Sequence, residues 1–465
     1  MRKHIPYLAI LLTLPCIVAA RAAQAADLKD FYPDLAAKAE TNVGVFLTGS
    51  SFSSSSQFLA TFDSGAALVQ FSTQITDQFN YYPVGSTVAG FTYKFDPNLN
   101  IFERSTDGLG PLLSERGQTT GKGKLNIALG YSWIDYDEFQ GQNLGNYNLT
   151  SGGAPVITIA PSPTNVIPPP TFITIPTDGG PVRRQVPSTN FVTFNSGLLL
   201  LGKGLVHFVI PPCGSGVCKA IGGFPATGTP GTYTLAASIP NVTLDTNIET
   251  DAYALFVNYG VTDKLDVGIV VPYLAIWLKG SVQATGLVDP STGRTFSVQT
   301  SGSARSSGIG DIVLRAKMNF FEGEYGALAS RLDFYVPTGD ADNFRGFGQP
   351  AAGASLIYSA ALGIFSPHMS VGFLWRFNDQ SLNEMRLAVG GDMRITEWLT
   401  ATTDVLLNQN TQHNDVGNSL LSVATGIKFN PWRRLVLSTN LLWRLNDQGL
   451  RTLVIPSVSV EYTFR

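Results

Sequence analysis

The chain has 465 residues and a formal net charge of −3, and charged residues make up only 14% of it while apolar residues reach 44%. This charge balance argues against a nucleic-acid partner, because proteins that bind nucleic acids carry a basic surface. Beyond the N-terminal region no run of eighteen apolar residues occurs, which excludes membrane crossing by helices. Little charge, 47 glycines and no helical spans indicate a large β protein or a β-barrel.

Residues 1–25 have the layout of a secretory signal peptide. A basic start precedes a mostly apolar run at residues 5–20, and the Ala-Gln-Ala at 23–25 is a small-x-small cleavage pattern. A membrane anchor is the weaker alternative, because the run contains Pro6 and Pro15 and is short for a spanning helix. We therefore expect export, with the mature chain beginning just after the Ala-Gln-Ala pattern.

Residues 26–121 show no sustained alternation of apolar and polar residues. They contain a serine-rich tract at 50–56, a predicted short helix at 32–41 and a predicted strand at 89–95. Five phenylalanines between positions 52 and 79 are many aromatic residues for a free tail. We expect this segment to fold into the barrel mouth as a plug, and a periplasmic tail is the alternative.

From residue 122 onward the sequence alternates with a period of two, which is typical of strands with two different faces. One face carries large apolar side chains, such as Leu125, Ile127 and Leu129, and the other mixes small residues with charges. A soluble sandwich also alternates, but its polar face would be richer in Lys and Glu. The observed mixture favours lipid on one side and a polar lumen on the other.

This pattern predicts twelve strands, whose connections alternate between short turns and long loops. Outer-membrane barrels have short periplasmic turns and long outer loops, and a chain that starts and ends on the short-turn side needs an even strand number. The predicted long connections include residues 284–308. The predicted strands are 122–137, 244–260, 264–283, 309–320, 325–337, 351–362, 366–377, 384–394, 397–408, 418–429, 432–445 and 452–464.

The predicted fold is therefore all-β: a closed antiparallel transmembrane β-barrel over residues 122–465, preceded by the plug or tail. The barrel has about twelve strands, or fourteen if residues 89–95 and 191–194 also join the wall. Its last strand ends Glu-Tyr-Thr-Phe-Arg at 461–465, an aromatic-rich end of the kind that outer-membrane barrels present to the barrel-insertion machinery.

Residues 138–243 are rich in Pro, Thr and Gly and are predicted to form a long outer loop that folds over or into the mouth. Once Cys16 leaves with the signal peptide, Cys213 and Cys218 remain. In an oxidising compartment their spacing predicts a small loop-closing disulfide. A zinc site would need two more ligands close by, and only His207 is near.

The sequence offers no catalytic, metal or cofactor motif. It has four histidines and no Gly-x-Ser-x-Gly elbow, so we expect no enzyme activity. Asp340 and Asp342 match the first two ligand positions of a calcium loop, but Phe344 and Ala351 stand where later ligands belong. A tight acidic turn is the better interpretation, and we expect neither a metal nor a cofactor.

Charged residues on the polar strand face are the remaining candidates for function. We expect them to line the lumen, where charges buried in a narrow space must pair. The favoured interpretation is salt-bridged ladders that hold the lumen together or grip the plug, and the alternative is a polar path or constriction for solute. The set comprises Arg315, Lys317, Arg331, Asp333, Arg376, Asp392, Arg394, Asp404, Lys428, Arg434, Arg444 and Glu461.

Several short pieces resemble outer-membrane transporters linked to the phenol meta-degradation pathway, a group that is similar to long-chain fatty-acid channels. The resemblance implies a barrel with an N-terminal plug that passes hydrophobic or aromatic compounds. It identifies no substrate-binding residue, because the matching pieces are turns and strand entries, and the 138–243 insertion departs from the pattern. The pieces are residues 91–96, 105–111, 121–124, 258–268, 308–311, 337–340 and 365–368.

Together these observations predict a channel in the bacterial outer membrane for passive or facilitated uptake of small hydrophobic or aromatic compounds. The alternative is a structural or adhesive barrel whose long loop binds partners. The expected partners are membrane lipid and lipopolysaccharide, a small apolar or aromatic solute and the barrel-insertion machinery, and no nucleic acid is expected.

Overall fold

The fold of this chain was obtained as a computed structural model. Within the residues that the structure describes, no helix has the length and apolar character needed to cross a membrane. The structure describes residues 27–35, 61–62, 71–72, 75, 93–96, 101–104, 108–148, 157–159, 173–175, 182–184, 192–194, 205–209, 232–236, 241–288, 295–412, 419–432 and 434–464.

Almost all regular structure in these ranges is β-strand. The strands before the barrel are β1 (Thr61–Phe62), β2 (Tyr93–Asp96) and β3 (Ile101–Arg104). The barrel begins with β4 (Leu125–Tyr136), and the long loop that follows contains β5 (Glu138–Phe139), β6 (Gln142–Asn143), β7 (Tyr147–Asn148), β8 (Ile157–Ile159), β9 (Ile173–Ile175), β10 (Val182–Arg184), β11 (Val192–Phe194), β12 (Leu205–Val209) and β13 (Thr232–Ala236). The remaining strands are β14 (Asn241–Gly260), β15 (Leu265–Val288), β16 (Thr295–Ile309), β17 (Ile312–Gly323), β18 (Gly326–Val336), β19 (Ala351–Ser359), β20 (Phe365–Arg376), β21 (Glu384–Thr396), β22 (Leu399–Asn410), β23 (Ser419–Trp432), β24 (Leu435–Arg444), β25 (Leu450–Arg451) and β26 (Val454–Phe464).

Helical structure is confined to short pieces. Residues 31–35 are helical, which confirms the start of the helix predicted at 32–41, and the rest of that prediction lies outside the described residues. Single 3₁₀ turns occupy Leu28–Asp30, Leu144–Asn146, Ala341–Asn343 and Gln380–Leu382.

Twelve antiparallel strands close into a barrel. The hydrogen-bonded order is β4-β14-β15-β17, then β18 to β24 in sequence, then β26. The ring closes because β26 pairs with β4 over the register Ser457↔Ser132 to Phe464↔Leu125. All twelve predicted strands are present, and their short and long connections alternate as predicted, so both chain ends of the barrel lie at the end with the short turns.

The alternative of fourteen wall strands does not hold for the described parts of residues 89–95 and 191–194. Residues 93–96 pair with residues 101–104 in a separate two-stranded sheet, and residues 192–194 pair with β8. Two other strands extend the barrel sheet instead: β7 pairs with two residues of β14, and β16 pairs with β15. A short run of strand residues predicts local extended structure, but its partner depends on closure of the whole ring.

The prediction that residues 284–308 form a loop is also wrong for most of that range. β15 continues to Val288, and β16 returns beside it from Thr295 to Ile309 before the chain bends at Gly310 into β17. Together with the upper part of β14, these strands extend the sheet beyond the wall at the end with the long loops. The Ser- and Gly-rich composition of β16 resembles a loop, but backbone pairing with β15 does not depend on side chains.

The two faces of the wall differ as the alternation predicts. Large apolar side chains project outward and are exposed, with Leu129 54%, Leu332 60% and Val458 52% accessible, whereas their sequence neighbours point inward and are buried. Exposed aromatic residues lie near both ends of the wall, such as Trp375 near the long-loop end and Trp398 near the short-turn end. An apolar outer face between aromatic girdles is the surface of a barrel that lies in a lipid bilayer.

The described parts of the long loop are small sheets. One has the order β1-β8-β11, one β10-β9-β12-β13, and one joins β25 to β5 and β6. The predicted signal peptide and the predicted disulfide between Cys213 and Cys218 lie outside the described residues.

Candidate functional site in the barrel lumen

Residues 108–120, here called the lumen segment, cross the inside of the barrel near the periplasmic end. Leu109 N donates to Thr400 Oγ1 at the start of β22, Gly117 N donates to Ser359 Oγ at the end of β19, and Thr120 N donates to Asp266 Oδ2 at the start of β15. The segment then turns at residues 121–124 into β4. It therefore spans the periplasmic half of the lumen from one side of the wall to the other.

Asp404 of β22 holds the first half of the lumen segment. Its Oδ2 accepts hydrogen bonds from the backbone N–H groups of Leu112 and Leu113 at 3.2 and 3.0 Å, and its Oδ1 accepts one from Ser114 Oγ at 2.7 Å. A buried carboxylate with several N–H donors is well satisfied, and such charge-assisted bonds are stronger than neutral ones. Asp404 therefore clamps the backbone of three consecutive residues.

A second carboxylate, Asp392 of β21, binds the lumen segment through Arg116. Arg116 Nη2 lies 2.7 Å from Asp392 Oδ2, and Arg116 Nη1 donates to the backbone oxygen of Gly108 at 3.2 Å. His368 of β20 lies between the two carboxylates, with Nε2 2.6 Å from Asp404 Oδ1 and Nδ1 3.6 Å from Asp392 Oδ1. The imidazole therefore links both anchors of the lumen segment.

Glu115 brings three lumen cations together. Its Oε1 lies 3.3 Å from both Arg315 and Arg331, and its Oε2 lies 4.0 Å from Lys317. Asp333 of β18 completes the cluster by pairing with both arginines. These side chains come from β17, β18 and the lumen segment, so the ion pairs join the segment to the wall.

Two further contacts show how closely the lumen segment approaches the wall. Lys317 Nζ donates to the backbone oxygen of Gln118 at 2.7 Å, and Asn319 Nδ2 donates to that of Gly117 at 2.8 Å. A Cβ atom built on Gly117 would lie 2.6 Å from the backbone oxygen of Ala327. Only glycine fits at this position without displacing the backbone.

The beginning of the described chain lies at the opposite, outer end. Leu28 N donates to Asn343 Oδ1, Lys29 pairs with Asp342, and the Tyr32 hydroxyl lies 2.9 Å from Thr246 Oγ1. Burial raises the pKa of the Tyr32 phenol. Residues 28–32 thus pack against the outer extension of the barrel, while the lumen segment lies near its periplasmic end.

The outer loop at residues 338–347 is held by a buried carboxylate. Asp311 accepts hydrogen bonds from the backbone N–H groups of Gly339 and Phe347 at 3.0 and 2.6 Å, and burial raises the pKa of its carboxyl group. Asp340 Oδ2 accepts bonds from Asn343 and Arg345, so its side chain serves the acidic turn.

The predicted lumen residues fall into four groups. Arg315, Lys317, Arg331, Asp333, Asp392 and Asp404 surround the lumen segment. Arg376 lies at the outer end, where it pairs with Glu384 and stacks on Phe347. Arg394, Arg434 and Arg444 lie at or near strand ends and are partly exposed, while Lys428 and Glu461 line a cavity.

Sequence reasoning missed Glu115, Arg116, Asp266 and His368. The first two lie in a segment without periodicity, so no local signal gives their direction. His368 could have been found, because it shares the inward phase of β20 with Arg376, eight residues later. Asp266 has the same kind of signal in β15, where it precedes the outward-facing Val267.

A cavity lies beside the lumen segment, against the wall formed by β23, β24, β26, β4 and β14. About 50 Å³ of it can hold the centres of water-sized molecules, and the space around them merges with open solvent. Leu112 and Leu113 of the lumen segment line one side and Phe256 lines the wall side. Most of the remaining wall side chains are small, and we call this set the small-residue wall: Ala128, Gly130, Ser132, Ala252, Ala254, Ser438, Ser457 and Ser459.

A family model and several solved structures are similar to this chain. The family model described as "Putative MetA-pathway of phenol degradation" matches residues 227–458. No curated protein matches the sequence significantly. Among solved structures, the chain is similar to an outer membrane channel from Pseudomonas putida F1, with a TM-score of 0.39 and 11% identity over 75% of this chain and 98% of that one. It is also similar to a FadL homologue from Pseudomonas aeruginosa, with a TM-score of 0.28 and 14% identity over 74% of this chain and 90% of that one. A third similar structure is the translocator domain of the autotransporter NalP from Neisseria meningitidis, with a TM-score of 0.31 and 7% identity over 74% of this chain and 89% of that one.

The closed ring, the apolar outer face and the charged interior define an integral β-barrel of the bacterial outer membrane. Over residues 227–458, the chain belongs to the family described as the MetA-pathway of phenol degradation.

Proposed function

We propose that this protein is a passage for small hydrophobic or aromatic compounds across the outer membrane, with the lumen segment as its plug. The carrying observation is the cavity between Leu112 and Leu113 on one side and the small-residue wall on the other. Such a cavity offers a route past the plug, because the wall side chains there leave space that bulkier residues would fill. The family description supports the same solute class, since phenol is small and aromatic.

The distribution of charge supports a plug that stays in place while solute passes beside it. Ion pairs and hydrogen bonds attach the lumen segment to β15, β17, β18, β19, β21 and β22, whereas the cavity lies against the other part of the ring. Buried pairs of this kind are costly to break, because separation leaves an uncompensated charge. The solute route is therefore expected along β24, β26, β4 and β14.

Filling the cavity tests this proposal. Ala254→Leu adds bulk to the small-residue wall, and Ala316→Leu makes the same change on the lipid-facing side of β17. We expect Ala254→Leu to slow uptake of radiolabelled phenol several-fold in cells that lack their general porins, and Ala316→Leu to leave it unchanged. An unaltered lipopolysaccharide layer is required, because phenol crosses plain phospholipid by itself.

Expression of the wild-type barrel that leaves phenol uptake at the level of empty cells would contradict passage and favour the structural or adhesive alternative. Equal uptake by the wild type and by correctly folded Ala254→Leu would reject the route along the small-residue wall.

A further inference from the structure

The cavity contains a buried ammonium group with an unusual environment. Lys428 of β23 points inward between Thr400 and Ser438 and is only 4% accessible. Among the residues that the structure describes, none is seen within ion-pair or hydrogen-bond distance of its Nζ, and the Glu461 carboxylate of the same cavity is the charge that attracts it most. In contrast, Arg116, Arg315 and Lys317 in the same lumen all face carboxylates at short range.

A buried ammonium group without a direct ion pair or hydrogen bond carries a desolvation penalty that carboxylates at longer range offset only in part. Glu461 lines the same cavity but already accepts a hydrogen bond from Asn126 Nδ2 at 3.0 Å. Asn440, also in the cavity lining, is 8% accessible, and its Oδ1 has no hydrogen-bond partner. The amide of Asn440 can therefore turn either its oxygen or its NH₂ group toward a bound molecule.

We infer that this cavity binds the carboxylate end of small amphipathic acids, with Lys428 as the recognition residue. The carboxylate would accept hydrogen bonds from Lys428 Nζ and from Ser438 Oγ or the Asn440 amide. The apolar body of the acid would lie against Leu112, Leu113 and Phe256, which form the apolar side of the cavity. This inference rests on the proposed function and narrows its solute class from aromatic compounds in general to aromatic and other amphipathic acids.

The geometry suits a monocarboxylate more than a dianion or a cation. One ammonium and two neutral donors match the two oxygens of a single carboxylate. Glu461, at the edge of the same space, would repel a second negative group on the solute. A cationic solute would meet Lys428 in a confined space, and like charges there are strongly unfavourable.

The test compares benzoate with benzyl alcohol, which has a similar size and no charge. Binding of each is measured calorimetrically on the detergent-solubilised full chain, and uptake is measured in porin-deficient cells. We expect Lys428→Met to weaken benzoate binding about tenfold or more, as loss of a charge-assisted hydrogen bond would. Benzyl alcohol binding should change less than twofold, and Lys428→Arg should retain most benzoate binding.

Two matched variants separate recognition from a structural role. Lys264→Met removes an exposed lysine in the turn before β15 and should leave the binding of both ligands unchanged. Glu461→Gln keeps an acceptor for Asn126 and removes the competing negative charge, so benzoate should bind more tightly. If Lys428 served only to balance Glu461 in the fold, both substitutions would lower stability without opposite effects on benzoate.

The inference is overturned if Lys428→Met, or Lys428→Gln should the methionine variant fail to fold, binds benzoate as the wild type does. It is also overturned if the substitution of Lys428 weakens the binding of benzoate and of benzyl alcohol equally. Benzoate binding that depends on Lys428 without any uptake would uphold the site and reject the proposed passage, so the two failures are distinguishable.

Discussion

Arg116 and Asp392 are 276 residues apart in the sequence, yet Arg116 Nη2 donates to Asp392 Oδ2 across 2.7 Å with both side chains at most 2% accessible. This pair joins the segment before the barrel to a strand in its second half. A buried ion pair contributes little net stability compared with apolar residues, but removal of one partner leaves a charge that neither water nor protein satisfies.

Arg116→Leu should therefore destabilise the protein by about 3–5 kcal/mol. The double variant Arg116→Leu/Asp392→Leu should lose less unfolding free energy than Arg116→Leu alone, because the charge of neither partner is left unpaired. Denaturant unfolding in detergent measures the unfolding free energies of Arg116→Leu, Asp392→Leu and the double variant. The matched control is Lys29→Met, which breaks an exposed pair with Asp342 and should leave stability unchanged. A loss in the double variant as large as the sum of the two single losses would contradict the pairing.

Asp404→Ala should loosen the lumen segment. Asp404 accepts hydrogen bonds from the backbone of residues 112–114 and from Ser114 Oγ, so its removal leaves several buried donors unsatisfied at about 1–3 kcal/mol each. We expect higher ion conductance in planar bilayers and faster proteolysis within residues 108–120. Glu322→Ala, at the exposed end of β17, is the control and should match the wild type. Unchanged conductance and proteolysis in Asp404→Ala would show that this clamp does not hold the plug.

Gly117→Ala should be much more damaging than Gly130→Ala. The added methyl group at 117 would meet the backbone oxygen of Ala327 at 2.6 Å, whereas at 130 its nearest neighbour lies at 3.8 Å. Forced overpacking costs about 1–3 kcal/mol, while a glycine-to-alanine change in open space is near neutral. Thermal unfolding of both variants by circular dichroism checks the difference. Similar melting temperatures would mean that the lumen segment does not lie against β18.

Leu129→Arg should destabilise the barrel in lipid. Leu129 projects outward from the middle of β4 and is 54% accessible. An arginine at the lipid face near the midplane costs about 2–4 kcal/mol, and one near the interface costs about 0–1 kcal/mol. Val261→Arg, in the periplasmic turn, is therefore the matched control. Equal unfolding free energies for the two variants in liposomes would contradict the position of the membrane.

Much of the wall was predictable because each strand has its own alternation of apolar and polar residues. The alternation of Leu125, Ile127 and Leu129 with smaller or polar neighbours identifies a strand and assigns its faces without any knowledge of its partners. The alternation of long and short connections then requires an even ring. Where a strand lacks this pattern, as in Ser- and Gly-rich β16, the sequence predicts a loop although backbone pairing forms a strand.

The contacts that hold the lumen segment were less accessible to sequence reasoning. Charged residues on the inward face were expected to pair, but their partners are far apart along the chain. Arg315 and Glu115 are 200 residues apart, and Asp404 meets Ser114 across 290 residues. Such pairs depend on ring closure and on the path of a segment that has no periodicity. The cavity was missed for a related reason, because small residues on separate strands form a space only when those strands are neighbours.

The central claim is that adjacent residues of one strand face lipid and an enclosed lumen. A nitroxide label at Val458 or at Ser457, in a chain with Cys213 and Cys218 replaced by serine, tests it by power-saturation spectroscopy in liposomes. We predict that the label at 458 is accessible to oxygen dissolved in lipid and shielded from a water-soluble nickel chelate. The label at 457 should lose that oxygen accessibility. Equal accessibility of both positions to the nickel chelate would contradict the barrel in its membrane.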